Sequence, residues 1–113
     1  VAAVIGLGCV LSALALLKAN TSRGSRLNLT TGELVWWQNR TSGHAGDGGT
    51  VMARDIVRIR IDRGDESADT LHVYGADGER LAFLDEEVVG WRLERWAEQV
   101  VRAFPHIRLE VRD

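Results

Sequence analysis

The first 17 residues of the chain contain no charged side chain. Apolar runs of about 17 to 25 residues are what a helix needs to cross a bilayer. We therefore predict a transmembrane helix at residues 1–18, a linker at 19–25 and one domain at 26–113. Two other interpretations stay open, the apolar core of a secretory signal peptide and a helix buried within the domain. Since the run is short for a span, we expect the helix to begin before Val1.

Positive charge follows the apolar run. Lys18, Arg23 and Arg26 all precede Glu33, the first acidic residue. Basic residues beside a membrane segment favour the cytoplasmic side. The sequence therefore predicts a single-pass membrane protein with the lipid bilayer as one partner and with a cytoplasmic domain.

Small residues recur at four-residue spacing within the run. Ala2 and Gly6 form one such pair, and Gly8 and Ser12 form another. Small side chains at this spacing let two membrane helices approach closely. These four residues are the candidates for helix–helix packing, and a homo-oligomer stays open as an alternative to the ordinary small-residue content of membrane helices.

Charge and cysteine content exclude some functions. The chain has 14 basic and 16 acidic residues, and its net charge is −2. A nucleic-acid-binding domain normally carries a basic excess, so we predict no nucleic acid partner. The single cysteine, Cys9, allows neither an intrachain disulfide nor a cysteine zinc site.

Alternation of apolar and polar residues predicts the strands. The predicted strands before the helix cover residues 26–30, 34–38, a part of 50–63, 70–74 and 80–84. In the third of them we expect Val57, Ile59 and Ile61 to face the core. Asp77 and Gly78 carry the pair typical of a tight hairpin turn before the fifth.

The pattern changes to a helical period near Asp85. Apolar residues follow at spacings of four, three, four and four, at Val89, Leu93, Trp96, Val100 and Phe104. This predicts one amphipathic helix at about 86–104, which Pro105 ends, and then a final strand at about 106–112. The fold class is therefore α+β. We expect a transmembrane helix, a small antiparallel sheet or half-barrel of about five to seven strands, the amphipathic helix and the final strand.

A basic stripe is the first candidate contact surface. Arg54, Arg58 and Arg60 lie on the predicted central strand, beside His72 and Tyr74 on the next. The stripe is suited to an acidic partner or to lipid headgroups. Pairing with acidic residues across a solvated sheet face is the alternative.

Two adjacent tryptophans are the second candidate. Trp36 and Trp37 lie on one predicted strand, where neighbouring side chains point to opposite faces. We expect one ring in the core and the other outside, and we keep both as candidates for partner contact.

The sequence contains no catalytic constellation. No serine has the context of an activated nucleophile, and His44, His72 and His106 are widely separated. We therefore predict no enzyme activity, no cofactor and no metal. An enzyme with a site in the glycine-rich loop 39–49, which contains His44 and Asp47, is kept as an alternative.

These elements together resemble a known type of domain. A strand–Thr-Gly–strand hairpin, the central strand DIVRIRID, an Asp-Gly hairpin and a closing helix look like a pleckstrin-homology-like (PH-like) domain of bacterial membrane proteins, over about residues 26–104. Two features differ from the family pattern. A strand follows the helix, and the first hairpin turn at 31–33 lacks the basic residues of a headgroup site.

The resemblance implies a binding or scaffolding module. We expect a membrane-anchored domain that docks a membrane-protein partner, as an accessory or assembly subunit. The alternative is recognition of anionic lipid headgroups through the arginine stripe.

Overall fold

Strands and helices account for most of what the computed structural model describes, which is residues 15–18, 22–64, 68–90 and 92–113. Seven strands, one 3₁₀ turn and two helices follow one another there. In chain order they are β1 (Ala15–Lys18), β2 (Gly24–Asn28), β3 (Glu33–Gln38), β4 (Asp47–Met52), the 3₁₀ turn (Ala53–Asp55), β5 (Ile56–Asp62), β6 (Thr70–Gly75), α1 (Glu86–Val89), α2 (Leu93–Ala103) and β7 (Arg108–Arg112).

The strands form two sheets. The first sheet is an antiparallel meander in the order β1–β2–β3–β4. The second has the order β6–β5–β7, in which β5 pairs antiparallel with β6 and parallel with β7. A parallel pair needs a long crossover connection, and the two helices lie between β6 and β7 in the chain. The sheet is thus mixed, where the sequence predicted an antiparallel one.

The prediction of a transmembrane helix is wrong for the part of it that the structure describes. Ala15–Lys18 is a strand whose backbone pairs with β2, with Ala15 opposite Asn28 and Lys18 opposite Ser25. Its main-chain polar groups are therefore bonded between strands and not along a helix. Across the described ranges, no helix is both long enough and apolar enough to cross a membrane.

Two further predictions concern the start of the chain. Ala2, Gly6, Gly8 and Ser12, the predicted helix-packing residues, lie outside the described residues. The predicted linker at 19–25 is too long at its end, because Gly24 and Ser25 already belong to β2.

The segment 50–63, in which we predicted the central strand, is divided. It forms the end of β4, the 3₁₀ turn and β5. The pairing of β5 with β6 contains a bulge between Ile56 and Arg58. A bulge shifts the alternation by one residue. As a result Ile56 is fully buried and Val57 is 41% exposed, so the predicted inward position of Val57 is wrong.

The prediction of a strand at 80–84 is also wrong. Only one bridge forms there, between Arg80 and Tyr74. The chain then turns, with Phe83 in the left-handed region at φ 63°. Side chains of β3 fix this turn, because they donate hydrogen bonds to the carbonyls of Ala82 and Phe83.

The helix predicted at 86–104 is broken into α1 and α2. Asp85 caps α1 by accepting a hydrogen bond from the Glu87 backbone N–H. Gly90 closes α1 with a backbone bond to Glu86, at φ 101° and ψ −173°, a region that essentially only glycine adopts. The glycine thus allows a break that the apolar spacing does not reveal.

One core joins the two sheets and both helices. It includes Leu27, Leu34 and Trp36 from the first sheet, Ile56, Ile59, Ile61, Leu71 and Val73 from the second, and Val88, Leu93, Trp96, Ala97 and Val100 from the helices. Trp36 donates from Nε1 to the Ala82 carbonyl at 2.8 Å. Its ring lies so close to Gly49 that a Cβ there would be 2.8 Å from it.

The two tryptophans lie on opposite sides of β3, as predicted. Trp36 is 5% exposed in the core, whereas Trp37 is half-buried. The Arg40 guanidinium lies 4.6 Å from the centre of the Trp37 ring, within the range of a cation–π contact.

A candidate binding face on the second sheet

The second sheet has one face in the core and one face that carries mostly polar side chains. Ile59 and Ile61 of β5 are fully buried in the core, so the residues that alternate with them lie on the other face. We call this other side the arginine face. It comprises Arg58, Arg60 and Asp62 of β5, His72 and Tyr74 of β6, and Arg108, Glu110 and Arg112 of β7.

The strand register arranges these side chains in rows. The first two rows are Tyr74–Arg58–Arg108 and His72–Arg60–Glu110. Side chains directly opposite each other on paired strands are close enough to interact. The face therefore brings together residues that lie up to 54 positions apart in the chain, from Arg58 to Arg112.

An open cleft lies at the first row. The Arg58 guanidinium stacks on the Tyr74 ring, 4.1 Å from its centre. Val57, Gly78 and Arg108 complete the lining, and the cleft has a volume of about 370 Å³. The Arg108 side chain is 75% exposed, so its guanidinium is accessible to a ligand. The cleft thus combines an aromatic ring with two cationic groups.

Glu110 is the carboxylate around which three of the arginines gather. Its oxygens lie 3.5 Å from Arg58 Nη1, 3.2 Å from Arg108 Nε and 3.0 Å from Arg112 Nη2. Burial opposes ionisation of Glu110 and is the largest single influence on its pKa. The hydrogen bond from Arg112 and the charges of Arg108 and Arg58 together outweigh burial and hold the pKa below its usual range. Glu110 is therefore ionised at neutral pH.

The arginine face carries net positive charge. Its four arginines face two carboxylates, those of Asp62 and Glu110. One carboxylate cannot satisfy the donors of three guanidinium groups, since each has five N–H donors. On β5, the Nε atom of Arg60 is buried and has no acceptor among the described residues. The whole chain is acidic, at a net charge of −2, so this face has the opposite sign to the molecule.

His72 is held as a neutral residue beside these cations. Burial lowers its pKa most, and the positive charges of Arg80 and Arg60 lower it further, against opposing effects of Asp62 and Glu86. Its Nε2 lies 3.3 Å from both the Asp62 carboxylate and the Thr70 hydroxyl. The imidazole therefore stays hydrogen-bonded without adding charge at neutral pH.

This lowered pKa predicts a pH dependence of stability. Below pH 6.5, the ordinary value for histidine, the unfolded chain binds a proton at residue 72 more readily than the folded chain does. The free energy of unfolding therefore decreases as the pH falls below about 6.5. His72→Gln should remove this part of the pH dependence.

Urea unfolding of the native protein and of His72→Gln, at about pH 8 and about pH 5.5, measures the effect. Glu94 and Glu110 do not interfere in this range. Both have a pKa below the ordinary 4.5, so both stay ionised in the folded protein. An equal change of stability with pH in the two proteins would contradict the prediction.

The structure places the predicted contact residues in different environments. Arg58 and Arg60 lie together on the arginine face, beside His72 and Tyr74 as expected from their strand positions. Arg54 lies on the 3₁₀ turn and is not part of β5.

Neither tryptophan belongs to this face. Trp36 is too buried for direct contact with a partner, and Trp37 lies on the first sheet.

Sequence reasoning missed the contribution of β7. The alternation over 106–112 identifies Arg108, Glu110 and Arg112 as outward-facing residues. It does not reveal that they lie beside Arg58 and Arg60, because the parallel pairing with β5 leaves no local signal. The chain order strand–helix–strand is the one available hint, since such a unit usually forms a parallel pair.

The glycine-rich loop uses its polar groups internally. His44 Nδ1 accepts a hydrogen bond from the Gly46 N–H, and the Asn39 amide donates to the Asp47 carboxylate. In the portion that the structure covers, no three side chains of His, Cys, Asp or Glu are grouped closely enough to hold a metal ion.

Comparison of the chain with protein-family models, with curated proteins and with solved structures finds no match.

Proposed function

We propose that this chain is a non-enzymatic binding domain that docks an acidic segment of a protein partner on its arginine face. The observation that carries the proposal is the cleft of the first row. There Arg58 and Arg108 lie beside the Tyr74 ring on a face of net positive charge. Arginine and tyrosine, together with tryptophan, are enriched among the residues that contribute most binding energy at protein interfaces.

The chemistry of the guanidinium group supports an acidic ligand. Arginine presents planar pairs of donors that match the two oxygens of a carboxylate. Arg58 is already oriented by its stacking on Tyr74, so it loses less conformational freedom when it binds. The exposed Arg108 supplies the second positive charge at the same cleft.

The distribution of charge favours a peptide over a lipid surface. Binding to anionic membranes generally uses clusters of four to eight basic residues in a diffuse positive field. Here Asp62 and Glu110 lie between the arginines and would face the lipid headgroups. Alternating charges at fixed positions suit a partner whose own charges are fixed along a chain.

Other sequence-based expectations stay predictions. The PH-like resemblance is one of them, and β7 follows the helices, which is the departure from the family pattern noted in the sequence. A membrane location and a membrane-protein partner are likewise predictions that the proposal neither needs nor uses.

Two double variants with equal net charge test the proposal. Arg58→Glu/Arg108→Glu reverses the charge of the cleft, and Arg54→Glu/Arg102→Glu reverses two exposed arginines that do not line it. The probes are a peptide of about ten residues rich in Asp and Glu, and vesicles of phosphatidylcholine with about 30% phosphatidylserine. Isothermal titration calorimetry measures binding to each.

We expect the native protein and the Arg54/Arg102 variant to bind the peptide equally, and the cleft variant to bind at least about tenfold more weakly, because charge-assisted hydrogen bonds are lost. Circular dichroism checks that each variant is folded, and Arg108→Glu alone is the milder substitution. Binding to vesicles without binding to the peptide would overturn the proposal, as would equal losses in both double variants.

A further inference from the structure

The two outer edges of the second sheet differ. The β6 edge is covered by the chain that follows it. Four hydrogen bonds occupy its outward backbone groups. The Leu71 N–H donates to the Glu86 carboxylate, and the Leu71 carbonyl accepts from the Arg80 guanidinium. The Val73 carbonyl accepts from the Leu81 N–H, and the Gly75 N–H donates to the Glu79 carbonyl. This edge is therefore closed to another strand.

The β7 edge is open over the described ranges, where β5 is the one strand that pairs with β7. The Arg63 N–H donates to the Arg112 carbonyl at 2.7 Å, so the backbone groups of Arg112 point toward β5. Backbone direction alternates along a strand. The N–H and C=O groups of Leu109 and Val111 consequently point away from β5, along the free edge.

The side chains of β7 give this edge two different faces. Arg108 and Arg112 are 75% and 56% exposed on the arginine face. On the opposite face, Leu109 is half-buried against the core and Val111 is 40% exposed. A strand laid along β7 would therefore meet positive charge on one side and apolar surface on the other.

We infer that the acidic segment binds as an additional strand along β7, with carboxylates alternating with apolar residues. The inference rests on the proposed function and names the form of its ligand. Main-chain hydrogen bonds to Leu109 and Val111 hold the segment in register. Alternate side chains then reach Arg108 and Arg112 on one face and cover Val111 on the other.

The charges on β7 oppose pairing of its full length with a second copy. Antiparallel self-pairing that uses all five residues of β7 is centred on Glu110, and it would place Arg108 opposite Arg112 and Glu110 opposite Glu110. Like charges directly opposite each other destabilise a strand pair. Residues 1–14 contain no carboxylate, so they cannot supply the acidic segment either.

A proline substitution tests this strand addition without changing charge. Val111→Pro removes one outward N–H and keeps the bonds of Arg112 to β5, and proline is tolerated at such edge positions. Val111→Thr is the matched control, since it retains the N–H. The probes are a peptide of about nine residues in which Asp or Glu alternates with Ile or Val, and a peptide of the same composition in block order.

We expect the alternating peptide to bind at least about tenfold more tightly than the block peptide. Val111→Pro should weaken the binding of the alternating peptide by a similar factor, and Val111→Thr should leave it within about twofold. In the native protein, hydrogen exchange at the Leu109 and Val111 amides should slow when the peptide is added. This measurement is independent of how well the proline variant folds.

The outcomes separate this inference from the proposed function. Normal binding by Val111→Pro, without slower exchange at the two amides, overturns strand addition. If Arg58→Glu/Arg108→Glu still abolishes binding in that case, the arginine face remains the docking surface. Loss of binding in Val111→Pro with no loss in the cleft variant supports strand addition and overturns the role of the cleft.

Discussion

Ile56→Ala should lower the free energy of unfolding by about 2 to 5 kcal/mol, and Val57→Ala should change it by about 0.5 kcal/mol or less. The two residues are neighbours on β5, yet Ile56 is fully buried and Val57 is 41% exposed. The bulge between Ile56 and Arg58 is the reason. Truncating Ile56 leaves a cavity that the surrounding core fills only in part, whereas truncating Val57 removes mostly solvated surface.

Urea unfolding followed by circular dichroism measures both changes. If the free energy of unfolding depends on urea concentration with the same slope in each variant, the folded and unfolded states are as compact as in the native protein. Ile56→Val is the milder substitution, with an expected loss of about 0.5 to 1.5 kcal/mol. A larger loss for Val57→Ala than for Ile56→Ala would show that β5 has no bulge and follows the simple alternation of its sequence.

The bulge in β5 shows a limit of prediction from the alternation of apolar and polar residues. Alternation correctly assigns Ile59 and Ile61 to the core and Arg58 and Arg60 to the open face, because the side-chain period of a strand is set by the backbone alone. It assigns Val57 incorrectly. A bulge inserts one residue without changing the apolar and polar composition around it.

The pairing between strands was less predictable from the sequence than the positions of the strands. The candidate site draws Arg58 and Arg60 from β5 and Arg108 and Arg112 from β7, and only the first pair could be recognised as one surface. Which strands pair depends on the path of the helices between them, a tertiary property with no short-range signature.

The apolar run at residues 1–17 shows a different limit of prediction from sequence. Its lack of charge predicted a membrane helix, yet Ala15–Lys18 pairs with β2. A short apolar stretch is compatible with a buried strand, a buried helix or a membrane segment, and hydropathy does not separate them. The break at Gly90 has a similar origin, since the apolar spacing of 86–104 continues across it.

Trp36→Ala should lower the free energy of unfolding by about 3 to 5 kcal/mol, whereas Trp37→Ala should lower it by about 1 kcal/mol. Trp36 packs in the core that joins the two sheets, and its Nε1–H donates a hydrogen bond to the Ala82 carbonyl. Trp37, on the opposite side of β3, is half-buried and stacks with Arg40. Similar losses in the two variants, measured by urea unfolding, would contradict the opposite placement of the rings.

Trp36→Phe separates packing from hydrogen bonding. The smaller ring keeps most of the apolar contact but leaves the Ala82 carbonyl without its donor, which should cost about 1 to 3 kcal/mol. The Trp36 and Gln38 side chains both bond to the turn that holds Phe83 at positive φ. Loss of one bond should therefore speed hydrogen exchange around Phe83 more than around Gly78, because the Trp36 N–H bonds to the Ala82 carbonyl and not to the turn at Gly78. Equal changes at both turns would mean that Trp36 stabilises the molecule through packing alone.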